Sequence, residues 1–302
     1  MSEASVHLGA HKYGKAENRL VRITRDTARH EIEDLNITSQ LRGDAFAGSF
    51  FTGDNSSIIA TDTQKNTVYA LAKIHGVGSP ERFLTLMSEH FLSNFDWVEG
   101  GLWQAEQYEW ERILVDGAGH DHSFVRKGQG TRLATVQVVD GATHVTGGVK
   151  DLVVLKSTGS EFTGFPKTEY TTLSETTDRI MATSVTARWR YVPGVDVDYN
   201  AVYAAVTEVL MSTFATVHSL ALQQTLFEMG KAAIAVAPQI AEIRFAMPNK
   251  HHFLYDIEQF GLENHGEVFI AADRPYGLIE GEVVQDGIAP APDAWLEVPT
   301  FI

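Results

Sequence analysis

The sequence contains no cysteine. That absence removes disulfides, thiolate nucleophiles, iron–sulfur clusters and the usual structural zinc sites. The chain also lacks any apolar run near the length of a bilayer crossing, and residues 1–15 hold no hydrophobic stretch of the kind a secretory leader needs. Its last residues, Pro299-Thr300-Phe301-Ile302, are not a Ser-Lys-Leu peroxisomal address, so a cytoplasmic protein is expected. Positive charge is scarce: 24 Lys and Arg stand against 39 Asp and Glu, a formal net charge of −15 at pH 7. Such a field repels polyanions, so neither nucleic acid nor an anionic membrane is expected as a partner. A small anionic substrate would meet the same repulsion and needs a locally placed cation, which points to an arginine in its pocket.

What is present is ordinary globular material, 44% hydrophobic and 21% charged over 302 residues, enough for two domains rather than one large core. From Arg19 to Leu41 apolar residues alternate with polar ones (Val21 and Ile23, then Leu35, Ile37 and Leu41), the period of two half-buried antiparallel strands. Thr61-Asp62-Thr63-Gln64 has the spacing of a capping box and opens a helix over 61–74. A second helix is announced by Ser79, Pro80 and Glu81, with Phe83, Met87, Phe91 and Phe95 recurring every fourth residue. Strand-like composition returns from Trp97 to Ile113 and from Arg132 to Leu155.

The second half repeats this order. Val185, Ala187, Trp189 and Tyr191 mark a strand; Val202, Val206, Leu210 and Phe214, then Leu222, Leu226, Met229 and Ala233, mark two helices; Ile243, Phe245 and Met247, then 278–284, mark closing strands. Strands around a helix pair, twice over, predict an α+β chain whose antiparallel sheets carry paired helices on one face. The expected units are 1–145 and 146–302, with the Gly-rich stretch 141–148 as the turn between them.

The stretch Leu152-Val-Val-Leu-Lys156-Ser-Thr158-Gly-Ser160-Glu-Phe162-Thr-Gly-Phe165, followed by Tyr170, Leu173 and Arg179, resembles the signature of the urate oxidase family. Three further islands agree: Tyr13-Gly14-Lys15, the run from Ala60-Thr61-Asp62 to Lys65-Asn66-Thr67, and Pro248-Asn249-Lys250-His251. With Gln223 they span almost the whole chain. The resemblance implies tandem tunnelling-fold (T-fold) units that close into a barrel on oligomerisation, a homotetramer with active sites at subunit interfaces, and oxidation of urate by O₂ without metal or flavin. It places Phe162, Arg179, Leu222, Gln223 and Asn249 on one side of the pocket and brings Lys15, Thr61 and Asp62 from a neighbouring subunit.

These residue types suit a flat, polar anion. The planar fork of Arg179 matches a carbonyl oxygen and ring nitrogen on one edge of urate, and the Gln223 amide matches the opposite edge. Phe162 would stack on the ring and Leu222 would bound the pocket apolarly. Lys15, Thr61 and His251 correspond to the family's proton relay, in which a lysine amine draws a proton through the threonine hydroxyl beside a histidine that titrates near neutrality. Asn249 and Thr61 would hold O₂, and later water, above the ring.

Each residue also has a plainer reading. Thr61 serves as a helix N-cap, Lys15 as a solvated surface lysine, Phe162 as core, Gln223 as a polar surface position, and Arg179 as the ion-pair partner of its neighbour Asp178. The pairs His120–His122 and His251–His252 raise a metal site, although a similar His-x-His-Ser-Phe stretch occurs in the family, which needs no metal. Two other functions compete: a zinc-dependent enzyme of the pterin or GTP-cyclohydrolase kind on the same fold, and a non-catalytic purine-binding module with no use for a proton relay.

Overall fold

The computed structural model describes residues 5–272, 274–296 and 298; residues 299–302, which carry the reading of the peroxisomal address, lie outside them. The chain divides into two compact units, the first taking residues up to 147 together with a later stretch beginning at Ala291, the second taking the residues from Gly148 to Pro290.

In the first unit the elements run β1 (Tyr13–Thr24), β2 (Glu31–Arg42), α1 (Ala47–Phe51), α2 (Thr61–His75), α3 (Pro80–Asn94), β3 (Gly100–Gln107), β4 (Trp110–Val115), β5 (Ala118–Arg126), β6 (Thr131–Val139) and the start of β7 (Ala142–Lys156). The strands pair antiparallel in the order β1-β2-β3-β6, while β4 and β5 form a separate hairpin inserted between the third and fourth strands of that series. The signal read for α3 is realised up to its last member: Ser79 Oγ accepts from Arg82 N–H at 3.2 Å, Pro80 occupies the first turn, and Phe83, Met87 and Phe91 are completely buried, whereas Phe95 is the extended C-cap beyond the helix and only partly buried. They pack with Leu35, Ile37 and Leu41 of β2, Trp103 of β3 and Val136 of β6 into one core between helices and sheet.

The second unit follows the same plan: β8 (Met181–Tyr191), α4 (Tyr199–Thr216), α5 (Leu222–Val236), β9 (Ile240–Ala246), β10 (His252–Leu254), β11 (Phe269–Ala271) and β12 (Glu280–Val284). Its order is β7-β8-β9-β12, with the β10–β11 hairpin again inserted between the third and fourth strands. The Asp198 carboxylate caps α4 by accepting from the N–H groups of Asn200 and Ala201 at 3.1 and 3.0 Å. Helix α5 approaches its sheet closely at Gly230, where a Cβ would stand 2.5 Å from Val283 Cγ2.

One expectation changes. The glycine-rich stretch 141–148 turns only at its start. Asp140 and Gly141, both at positive φ, make the tight turn of a hairpin, and the chain then runs on as strand through the unit boundary to Lys156. Strand β6, within the stretch read as strand-like from Arg132, is buried on both faces: Thr135 and Gln137 are as buried as Val136 and Val138. Leu102, on neighbouring β3, packs against Ala294, Trp295 and Val298, so the later stretch of the first unit covers apolar surface there.

Buried charge is paired. Arg132 meets Glu81 at 2.8 Å, and Arg190 on β8 meets Glu242 on β9 at 2.9 Å while also donating to the Ala289 carbonyl. Because removal of one member strands the other in a low dielectric, Glu242→Ala is expected to cost about 3–5 kcal/mol, measured as the shift in urea midpoint at constant m-value.

Candidate active site

Lys15, Thr61 and Asp62 come together in the first unit, held by ties between the first two strands and the start of α2. Ile59 N–H donates to Tyr13 Oη at 2.8 Å, Ser39 Oγ donates to Gln64 Oε1 at 3.1 Å, and the Gln64 amide reaches the Ile59 carbonyl at 3.4 Å. Gly14 is required by closeness to β2: a Cβ there would lie 1.8 Å from the Ser39 carbonyl oxygen. Just beyond Lys15 the β1 register slips, Glu17 adopts a positive φ, and the Asn18 amide donates to the carbonyls of Lys15 (3.1 Å) and Ile37 (2.8 Å). This bulge re-aims the strand at Lys15.

The capping box read at Thr61 does not form. Ala60 is the N-cap, Thr61 is the first helical residue, and Gln64 is turned inward to Ser39. The consequence is functional: among the described residues the Thr61 hydroxyl makes no hydrogen bond, so it is not consumed by the helix. The Asp62 carboxyl is held below its ordinary range chiefly by Lys65, whose Nζ stands 2.5 Å away, with Asn66 and the charge of Lys15 adding to the effect.

Phe162, Arg179, Asn249 and His251 come together in the second unit, lining a cavity of about 610 Å³. Backbone pairing sets the first two: Phe162 and Thr176 exchange hydrogen bonds at 2.8 and 3.1 Å, and Arg179 N–H donates to the Ser160 carbonyl at 2.8 Å. The Arg179 Cζ consequently stands 5.2 Å from the Phe162 ring centroid, and Phe165 stacks on Phe162 with centroids 4.9 Å apart. Asn249 is fixed by its N–H donating to the Gly277 carbonyl at 2.7 Å, and His251 by its carbonyl accepting from Ala272 N–H at 2.8 Å.

Arg179 does not pair with Asp178. Among the described residues it has no carboxylate partner, its Nε is buried without a hydrogen bond, and desolvation pulls its pKa down from the usual guanidinium value. Burial, then the positive charge of Arg179 and then His252, push the His251 imidazole below its ordinary 6.5, so it is neutral at pH 7.

Leu222 and Gln223 occupy the first turn of α5. Leu222 is buried, Gln223 is exposed, and neither lines the cavity. The turn is tied to the Phe162 segment, since Glu161 N–H donates to the Ser219 carbonyl (2.8 Å) and Ser219 N–H to the Gly159 carbonyl (3.0 Å). Gln224 is committed to Leu220 N–H at 2.9 Å, which leaves Gln223 as the free amide of that turn.

Sequence reasoning missed the hairpin contribution: His252, Phe253, His265 and Phe269 line the same cavity. Only the adjacency of His252 to His251 signalled it, because β10 and β11 are too short to show periodicity. His120 and His122 do face one side of β5, with ring centroids 4.4 Å apart, but among the described residues no group of three or more His, Asp or Glu side chains is placed to hold a metal ion.

The sequence profile described as Uricase matches residues 11–137 and 145–280. The uricase of Arthrobacter globiformis is 53% identical over 296 residues, covering 98% of this chain and 96% of that protein. The uricase of Oryctolagus cuniculus is 38% identical over 277 residues, covering 90% and 92%. The crystal structure of the Arthrobacter globiformis uricase superposes with a TM-score of 0.93, covering 97% of this chain and 100% of that one at 53% identity. A uricase from Bacillus fastidious superposes with a TM-score of 0.79 at 25% identity, covering 92% and 95%. A match that runs through both units and takes in both groups of site residues leaves one conclusion: the chain belongs to the uricase family.

Proposed function

We propose that this chain is a urate oxidase, an oxidoreductase that passes two electrons from urate to O₂ while water adds to the oxidised ring, giving 5-hydroxyisourate and hydrogen peroxide without metal or flavin. The observation that carries this reading is the unpaired Arg179 guanidinium beside Phe162, Asn249 and a neutral His251 in one cavity. A cation desolvated without a counter-ion is an anion site, and here it answers the net charge of −15, which otherwise disfavours urate.

In this reading Arg179 grips one edge of urate, Gln223 the other, and Phe162 stacks on the ring, with Leu222 closing the apolar side. Two T-fold units per subunit build barrels that stack into a homotetramer, and Lys15, Thr61 and Asp62 reach the cavity from a neighbouring subunit. The free-amine form of Lys15 takes a proton through the unencumbered hydroxyl of Thr61, becoming the ammonium cation, and His251, in its neutral form, accepts one. Deprotonated urate is electron-rich enough to reduce O₂ held above the ring by Asn249 and Thr61. Exposed apolar side chains on both inserted hairpins, Leu114 and Val125 on one and Phe253, Leu254 and Ile270 on the other, offer surfaces for subunit contact. No helix among the described residues is long and apolar enough to cross a membrane.

The direct test mixes chelator-treated protein with urate in aerated buffer and follows urate absorption together with peroxide. Loss of one with stoichiometric appearance of the other is expected. Binding without turnover would favour a purine-binding module, and activity only on adding metal a metalloenzyme. Arg179→Ala is expected to raise KM about 10- to 100-fold, the scale of losing hydrogen bonds to a charged group, whereas Thr61→Ala and Lys15→Ala chiefly lower kcat. Co-expressed Thr61→Ala and Arg179→Ala chains should regain activity above either homo-oligomer, because mixed interfaces carry one intact site; no gain would place both residues in one subunit's site. Since His251 must be neutral to accept a proton and its pKa is depressed, kcat/KM should hold at pH 7 and fall only on acidification below about 6.5, and His251→Gln should erase that acid limb.

A further inference from the structure

An acidic side chain next to the substrate-gripping arginine is a hazard, because Asp178 lines the same cavity as Arg179 and is its chain neighbour. If the carboxylate folded onto the guanidinium, it would neutralise the charge that captures an anion. The structure shows it turned elsewhere. Thr158 Oγ1 stands 3.0 and 2.9 Å from the two Asp178 carboxylate oxygens, and Gly159 N–H donates to one of them at 3.0 Å. The Asp178 carbonyl is held as well, accepting from Thr176 Oγ1 at 2.6 Å. No ion pair joins Asp178 to Arg179 among the described residues, and the Arg179 Nε remains without a partner.

We infer that Thr158 is a positioning residue for urate binding: with Gly159 N–H it holds the Asp178 carboxylate away from Arg179, so that the guanidinium is open to the substrate. Asp178 is then a restrained competitor of urate. The backbone explains why Thr158 and Gly159 can do this together. The Thr158 hydroxyl and the next residue's N–H are adjacent in the chain and meet the same carboxylate, and Gly159 itself sits at a φ of +72°, a conformation that glycine adopts without strain. Removing the hydroxyl leaves a single backbone donor against the pull of an unpaired arginine, and a carboxylate given that choice moves toward the cation.

The inference rests on Arg179 gripping urate, and the experiment separates the two. Steady-state constants for urate are measured for wild type, Thr158→Val, Asp178→Asn, the double variant Thr158→Val/Asp178→Asn, and Arg179→Ala as the benchmark. Thr158→Val is expected to raise KM about fivefold, the scale of a partly exposed ion pair, with kcat nearly unchanged. The double variant should return KM to near the wild-type value, because the competing charge is gone. Asp178→Asn alone should have KM at or below wild type, and this measurement decides the matter even if Thr158→Val proves unstable. A purely structural Thr158 predicts the opposite pattern, with the double variant no better than the single one, and that result or a severalfold rise in KM for Asp178→Asn overturns the inference. An Arg179→Ala enzyme with unchanged KM removes the underlying reading instead, and the inference with it.

Discussion

An arginine left without a counter-ion in a half-desolvated cavity is the constraint on which the second unit's site depends. Burial makes the bare guanidinium costly, as the downward pull on its pKa records, and nearby carboxylates in an acid-rich chain are the obvious relief. The local structure withholds that relief: Asp178 is engaged by Thr158 and Gly159, Glu161 faces His218 at 2.7 Å, and Glu175 accepts from Gly164 N–H at 3.1 Å. The same unpaired charge adds to burial, the larger cause, in lowering the His251 pKa. One uncompensated cation is therefore suited to an anion and also contributes to the lowered pKa of the imidazole beside it.

The fold supplies two copies of a simple plan. Each unit is a pair of neighbouring strands, a pair of helices, and two further strands with a short hairpin inserted between them. The helices cover one face of each sheet, and the chain spends its irregular features where side chains must be aimed. In the first unit these are the β1 bulge after Lys15, the close approach at Gly14, and the inward turn of Gln64 that leaves Thr61 unencumbered. In the second they are the bridge between Phe162 and Thr176 and the Ser219 link to α5. Regular elements carry these features without contributing chemistry themselves.

Much of this was legible in the sequence for physical reasons. The period of Phe83, Met87 and Phe91 reports a helix face buried against a sheet, and the alternation of Val185, Ala187 and Trp189 reports a strand, because burial imposes the period of the backbone on the side chains. The turn expected over 141–148 is confined to its start, because glycine signals permissive backbone and only Gly141 there uses positive φ, while the change of unit at 147–148 falls within continuous strand. The capping box at Thr61 was misread because its four residues satisfy a local pattern, while the partner that claims Gln64, Ser39 on β2, is remote in sequence. The two halves of the candidate site could be listed from family resemblance, but the fate of Asp178 could not. Whether an acid pairs with the arginine beside it depends on Thr158 and Gly159, some twenty residues earlier, and on a backbone turn that composition does not encode.

Dividing grip from proton handling between units has an electrostatic logic in the proposed assembly. Lys15 and Arg179 are both cations, and a single unit holding them side by side without a ligand would carry their repulsion as a folding cost. Placed on different units, each is compatible with its own surroundings: Lys15 shares a neighbourhood with the Asp62 carboxylate, which Lys65 keeps ionised, and Arg179 faces aromatic and imidazole groups. In that proposed assembly their charges would meet only as subunits associate, and a bound urate anion would lie between them. Substrate charge would compensate the very repulsion that assembly creates, so binding energy is concentrated where the proton must move.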